Sequence, residues 1–347
     1  MHHHSNEHQG YAMKRHIILL LTFIVIWNCS GSLPDWYTKR DEYFPDKDYI
    51  VSKGWGGTPE KAIEQATINM AQIFSTHITV EKNILERYES ISDMRNISEN
   101  FYEFSEETAR LISDQHLVNI NFKEPVWDRK SKSFYTLGYI QRSETARILI
   151  DRIKREQENI EYYVRMAYST NEAVEKYHYY TIAWLTAGRN LMMREQLDVL
   201  IPGVGINPIY TFAELGELKD KAAENIRFVI LVEGDKNDRV KQALRTAINK
   251  VGFNTVEKDG LLNIRAKAMI KDIDIDQKSL SFVSWEFQLI MTDYQNVIGL
   301  SMMKNGREGS TNTENAQMHA FERIQKFIEN EFQFRLMEYF DKLGNKQ

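Results

Sequence analysis

The sequence predicts an α+β protein: two small α/β sandwich modules, each an antiparallel sheet with helices on one face, joined by an antiparallel helical hairpin. Three features point there. Apolar residues recur at every second position through 226–232, 262–270 and 283–291, the period of a half-buried strand. Two helix-period stretches, 143–167 and 169–200, follow one another almost without a break, which requires them to fold back antiparallel. A glycine-rich run at 54–57 leads directly into a helix whose face carries Ala62, Ala66 and Met70. With 42% hydrophobic and 12% aromatic residues over 347 positions, the chain has apolar material for more than one core.

Residues 1–28 read as an export signal with an upstream extension. Lys14 and Arg15 supply a positive n-region, and 17–27 is apolar apart from Thr22. That is about eleven residues, where a bilayer span needs about twenty. The run stops at Asn28-Cys29. Cys29 is the chain's single cysteine, so an internal disulfide and a thiolate metal cluster are both excluded. It is also the one residue able to carry a lipid anchor. Asn28 departs from the small residue of the common lipobox, and such relaxed lipoboxes resemble those of spirochaete lipoproteins. A buried N-terminal helix with an incidental cysteine and a signal peptide cut elsewhere are the alternatives; lipidation at Cys29 is the expectation. His2, His3, His4 and His8 fall on the discarded side of that cleavage. The net charge is −5 overall and −6 once Glu7, Lys14 and Arg15 are lost, which gives nucleic acid no basic face.

Residues 29–48, punctuated by Pro34 and Pro45, read as a lipidated polar tether. About eighteen such residues reach at most ~60 Å when extended. The first module, 49–142, opens with a short strand at Tyr49-Ile50-Val51 and a turn through Gly54, Trp55, Gly56 and Gly57. Thr58 suits an N-cap, Pro59 the first helical position, and Glu60 and Glu64 the positive end of the helix dipole. Ile78 and Val80 suggest a strand; Phe101, Phe104, Ala109 and Ile112 suggest a helix. A hairpin follows, with arms at 116–127 and 134–140 around the polar turn 128–132.

The helical hairpin occupies 143–202, and Ser169 with Glu172 forms a capping-box pattern at the start of its second helix. Pro202-Gly203-Val204-Gly205 ends it. Tyr162, Tyr163, Tyr168, Tyr177, Tyr179, Tyr180 and Trp184 concentrate here. They read as packing between helices, with a peptide- or glycan-stacking surface as the alternative. Residues 203–224 read as a linker. The second module, 225–343, has the order β-α-β-β-β-β-α and is expected to fold alone, with Trp285, Phe287 and Leu289 on its inward face. Gly306 to Thr311 before its last helix echoes the glycine-rich run before the first module's helix.

Constellations that carry chemistry are weak. The Gly54 run lacks the lysine-serine pair of a phosphate loop and dinucleotide-type glycine spacing. His77, His116, His178 and His319 have no short ligand spacing. Asp272, Asp274 and Asp276 begin like a calcium loop, but Gln277 and Val283 stand where its glycine and bidentate glutamate belong. There is no nucleophile elbow. The expectation is a non-enzyme with no cofactor, no metal and no small-molecule substrate.

Two resemblances add to this reading. Pro34-Asp35-Trp36, Tyr49-Ile50-Val51 with Gly54 and Gly56, and the helix through Ala62, Ala66 and Ala71 resemble the lipoprotein-20-like family of bacterial envelope lipoproteins. The N-terminal domain of flagellar assembly protein T is similar in the same way. This covers about residues 34–142; Trp55 departs from the smaller residue usual there. Thr292-Asp293, the return strand at Val297, and Gly306 to Thr311 leading into the Ala316/Ala320 helix resemble a shared fold. It is that of the penicillin-binding-protein activator lipoproteins, the curli-secretion lipoprotein and the N-terminal domain of TolB. Together these imply a membrane-anchored structural or assembly component of a periplasmic complex, such as the flagellar one, expected at the outer membrane and partnered by envelope proteins. The alternative is a regulator that binds and activates a cell-wall synthase. Trp55 is the candidate anchor for a protein partner, since tryptophan and tyrosine dominate hot spots.

Overall fold

The computed structural model describes residues 33–75, 117–274, 280–293 and 296–344. Cys29, the histidines His77 and His116, the strand expected at Ile78, the helix expected around Phe101, and Asp276 all lie outside the described residues. The chain is α+β, in two compact units: 33–74 with 117–145, and 146–344. No described helix is long and apolar enough to cross a membrane.

The first unit opens with two single helical turns, α1 (Asp35–Thr38) and α2 (Arg40–Tyr43). Strand β1 (Tyr49–Gly56) runs into helix α3 (Pro59–Ser75). Strands β2 (Asn121–Phe122), β3 (Val126–Asp128) and β4 (Ser133–Gln141) complete the sheet. All pairings are antiparallel, and β4 pairs with each of β1, β2 and β3. The expected hairpin is present, its first arm divided at Pro125, which has no N–H to give a ladder. Its turn is held by the Asp128 carboxylate, which accepts from Ser131 Oγ at 2.7 Å and Ser131 N–H at 3.0 Å.

The glycine run is not the turn that the sequence suggested. Gly54 and Gly56 are strand residues paired with Thr136 and Phe134. A Cβ on Gly54 would sit 2.0 Å from the Ala62 carbonyl oxygen and 2.7 Å from Ala66 Cβ, so the absent side chain lets α3 lie directly on the strand. Ser52 Oγ donates to the Ala66 carbonyl at 2.7 Å, and Asn69 Nδ2 to the Lys53 carbonyl at 2.7 Å. Ile50, Ala62, Ala66, Met70, Phe74 and Ile140 are buried, as this contact requires.

The second face of this sheet carries the other surprise. Residues 33–48, expected as a tether, fold back over it. Tyr37 and Phe44 are buried with Val51 and Leu137, and Leu33, Trp36, Tyr49, Tyr135 and Tyr139 pack around them. Phe44 stacks tilted on Tyr139 at 4.8 Å, and the Arg142 N–H closes the segment onto the Asp48 carbonyl at 2.9 Å. Residues 33–48 therefore belong to the unit, because two aromatic side chains bury there that a solvated tether would expose.

The second unit takes up the long helix α4 (Arg142–Ser169) and contains α5 (Ala173–Leu200). They form the expected antiparallel pair: Asn190 Nδ2 donates to the Ile153 carbonyl at 2.8 Å and Arg189 pairs with Glu156 at 2.9 Å. The capping box expected at Ser169 and Glu172 does not form. Glu172 takes the N-cap position without a side-chain bond, and Thr170 instead bonds Glu175 at 2.6 Å. The capping box lies further on, at Thr211 and Glu214, in the stretch expected as a linker. It starts α6 (Phe212–Ala223), whose Leu215, Ala222 and Ala223 are buried. The Lys219 ammonium lies 5.1 Å above the buried Trp184 ring, so α6 is part of the core.

Beyond it come β5 (Arg227–Glu233), α7 (Arg239–Lys250), β6 (Asn254–Val256), β7 (Leu262–Ile273), β8 (Ser281–Thr292) and β9 (Ile298–Ser310). Helix α8 (Thr313–Phe327), a π-helical turn (Ile328–Phe332) and α9 (Gln333–Gly344) end the described chain. The sheet order is β6-β5-β7-β8-β9. The β7–β8 and β8–β9 pairs are antiparallel as expected, whereas β5 pairs parallel with both β6 and β7. Helices α7 and α8 bury Leu244, Ile248, Ala320 and Ile324 in one cluster with Phe228, Ile264 and Phe287. That cluster also holds Tyr177 and Trp184 of the helical hairpin. Tyr177 lies 5.0 Å from Phe253 and 5.8 Å from Phe340, ring to ring. Residues 225–343 thus share one buried cluster with the hairpin.

The echoed glycines differ in use. Gly306 lies under the Trp285 indole, which a Cβ would meet at 2.7 Å, and Gly309 under Phe282. Helix α3 covers glycine in the first unit; a neighbouring strand's aromatic covers it here. Trp285 is buried in series with Phe287 and Leu289. Trp285→Ala should therefore cost about 3–5 kcal/mol in denaturant titration, as large aromatic truncations do; a loss below about 1 kcal/mol would place the ring outside the core.

Candidate functional site

The residues singled out by sequence do not converge on one centre. Among the described residues, no group of three or more histidine, cysteine, aspartate or glutamate side chains is placed to hold a metal. Asp272 lies on β7 and accepts from Gln317 Nε2 at 3.3 Å. His178 is buried in α5, and burial lowers its pKa while Glu175 opposes the shift. His319 is half-buried on α8. These are separate structural positions.

The tyrosine-rich hairpin divides into two groups. Tyr177, Tyr180 and Trp184 are core residues, whereas Tyr162 and Tyr168 are exposed. Burial pushes the phenols of Tyr177 and Tyr180 up to about 12, and for Tyr180 the neighbouring Tyr168 adds to the shift. A buried phenolate has lost its hydration, so the neutral form is favoured. Packing accounts for the inward group.

Trp55 has the surroundings of a surface site. It stands on β1 opposite Tyr135, on the face away from α3, and is 53% exposed. From it an aromatic file runs across that face. Tyr135 meets Tyr37 edge-on at 5.4 Å, and Tyr37 meets the half-buried Trp36 at 6.0 Å. The Lys53 ammonium sits 4.8 Å over the Tyr37 ring. A polar cleft beside it is lined by Thr38, Lys39, Arg40, Asp41, Glu42 and Lys53. Lys39 pairs with Asp35 at 3.1 Å, which raises the Lys39 pKa, and Arg40 pairs with Asp41 and Asp46 at 2.6 and 3.1 Å. Burial, and then Tyr135, raise the phenol of Tyr37. The arrangement offers aromatic surface rimmed by paired charges, which suits binding. Trp55 was the sequence's candidate here; its neighbours escaped notice because α1 and α2 are too short to show a period. The signal present was aromatic density: Trp36, Tyr37, Tyr43 and Phe44 within a supposed tether.

Trp127 offers a comparison within the same sheet. It is 43% exposed on β3, pairs with Phe134, and points to the opposite face. Exposure alone therefore does not single out Trp55; its position in the file does.

No protein-family model matches the sequence, and no curated protein matches it. Among solved structures, the chain is similar to the secreted protein HP1454 from Helicobacter pylori, at 12% identity and a TM-score of 0.44, over 83% of this chain and 98% of that one. A minor lipoprotein from Acinetobacter baumannii is similar at 9% identity and a TM-score of 0.25, over 34% of this chain and 92% of that one. A PelC dodecamer subunit from Paraburkholderia phytofirmans is similar at 10% identity and 0.21, over 31% and 86%. Likenesses of this order assign no function.

The buried phenols have a measurable consequence. Because the folded pKa of Tyr177 is raised from 10.0 to about 12, the folded state keeps a proton that the unfolded chain releases. Its contribution to stability is complete below pH 10 and is lost as pH rises from there towards 12. Unfolding titrations across that window should show stability falling with pH, and Tyr177→Phe should flatten the fall. An unchanged slope in the variant would contradict the burial.

Proposed function

We propose that this chain is a lipid-anchored protein of the bacterial cell envelope, exported by its N-terminal segment, acylated on Cys29 and facing the periplasm from the outer membrane. It works there as a non-enzymatic structural or assembly component of a periplasmic complex, the flagellar one among the candidates, with envelope proteins as partners. The observation that carries this reading is how near to Cys29 the described fold already extends. Leu33 already packs on the first unit's aromatic cluster. Three residues separate it from Cys29, a span of at most ~14 Å over four residue steps. An anchor at that point holds the folded body against the membrane surface.

This reach favours an assembly component over a regulator of a distant cell-wall synthase, which needs a long arm. The non-enzymatic reading rests on the sequence, which has neither a nucleophile elbow nor a phosphate loop. Cys29→Ser should move the protein from the detergent-extracted membrane fraction to the soluble periplasm. Each buried acyl methylene contributes about 0.8 kcal/mol, so loss of the chains should be decisive. An unchanged membrane partition would overturn the proposal.

A further inference from the structure

Resting on that anchoring, we infer that the Trp55 face of the first unit lies on the lipid surface itself, with Trp55 seated at the headgroup level. Leu33, four positions after Cys29, packs on the same cluster as Trp36 and Tyr135. The anchor is thus tied to the layer that carries the aromatic file, not to the α3 side of the sheet. At most ~14 Å of chain separates that layer from an acylated Cys29. A surface held so close meets lipid before it meets a diffusing partner.

The composition suits that neighbour. Indole and phenol rings combine an apolar body with a polar edge, the property that concentrates them at membrane–water interfaces. Trp55 is 53% exposed although its strand neighbours Val51 and Gly54 are buried, so the fold leaves this large ring in the open. Lys53, two residues before it on the same face, packs its ammonium over Tyr37 and has its long stem along the aromatic layer. The acids of the segment are engaged with cations: Asp35 with Lys39, and Asp41 and Asp46 with Arg40. Glu42 remains beside the cleft as a local negative charge. The rim is therefore near neutral, and the apolar rings, not net charge, provide the attraction.

The test uses the full mature protein, extracted from the envelope and reconstituted into vesicles of phosphatidylethanolamine and phosphatidylglycerol with bromine on the upper acyl chain. Bromine quenches tryptophan fluorescence only at short range. The wild type should be quenched, Trp55→Phe should lose most of that quenching, and Trp127→Phe should keep it, since Trp127 is similarly exposed on the other face. The mass of the N-terminal peptide reports acylation separately. An acylated protein whose quenching is the same in both variants, or absent, overturns the lipid contact and leaves the anchoring intact. Absence of quenching with Trp55-dependent crosslinking to an envelope protein overturns it in favour of a protein partner. A Cys29 without acyl mass overturns the anchoring and this placement with it.

Discussion

Burial of Tyr37 and Phe44 over the outer face of the first sheet is the contact on which the rest depends. A sheet with one face on a helix and the other in water needs only polar residues on that second face. Here the second face presents Tyr49, Val51, Tyr135, Leu137 and Tyr139. Their apolar area requires a cover, and two helical turns of four residues supply it. At about 25 cal/mol per Å2, two aromatic side chains of this size contribute several kcal/mol, enough to hold a segment with little helix propensity of its own. With that segment part of the fold, only a short stretch of chain lies between the packed Leu33 and Cys29.

The opposite face shows the complementary device. Gly54 and Gly56 remove side chains where α3 crosses β1, and Ser52 replaces an apolar contact by a hydrogen bond into the helix backbone. The sheet is thus pressed between a close-packed helix and an aromatic cover. Trp55 falls on the covered side but beyond the reach of the cover, which is why a large ring stays exposed on an otherwise closed layer.

How far these features could be read from sequence depended on their length. The strands at 262–273 and 281–292 are long and half-buried, so their alternation and the inward position of Trp285 were legible. The helical hairpin was equally plain from its period. Elements of four residues leave no period to detect, which hid α1 and α2. Glycine was ambiguous, since a missing side chain serves a turn and a close approach alike. The box at Thr211 and Glu214 lies in a stretch that read as a linker, and its single short helix buries only a few residues. Shared burial was the least legible of all: that Tyr177 packs on Phe253 and Phe340 is a property of the folded chain, not of any window of sequence.

Hydrogen–deuterium exchange over residues 35–48 tests the central claim most directly. In the fold, the amides of Tyr37 and Thr38 donate to the Pro34 carbonyl, Phe44 to Arg40, and Asp48 to Pro45. The account predicts that these amides exchange far more slowly than an unstructured peptide, and that truncating Tyr37 to alanine releases them together. Exchange at the rate of a free chain throughout 35–48 would show a solvated tether and contradict the account.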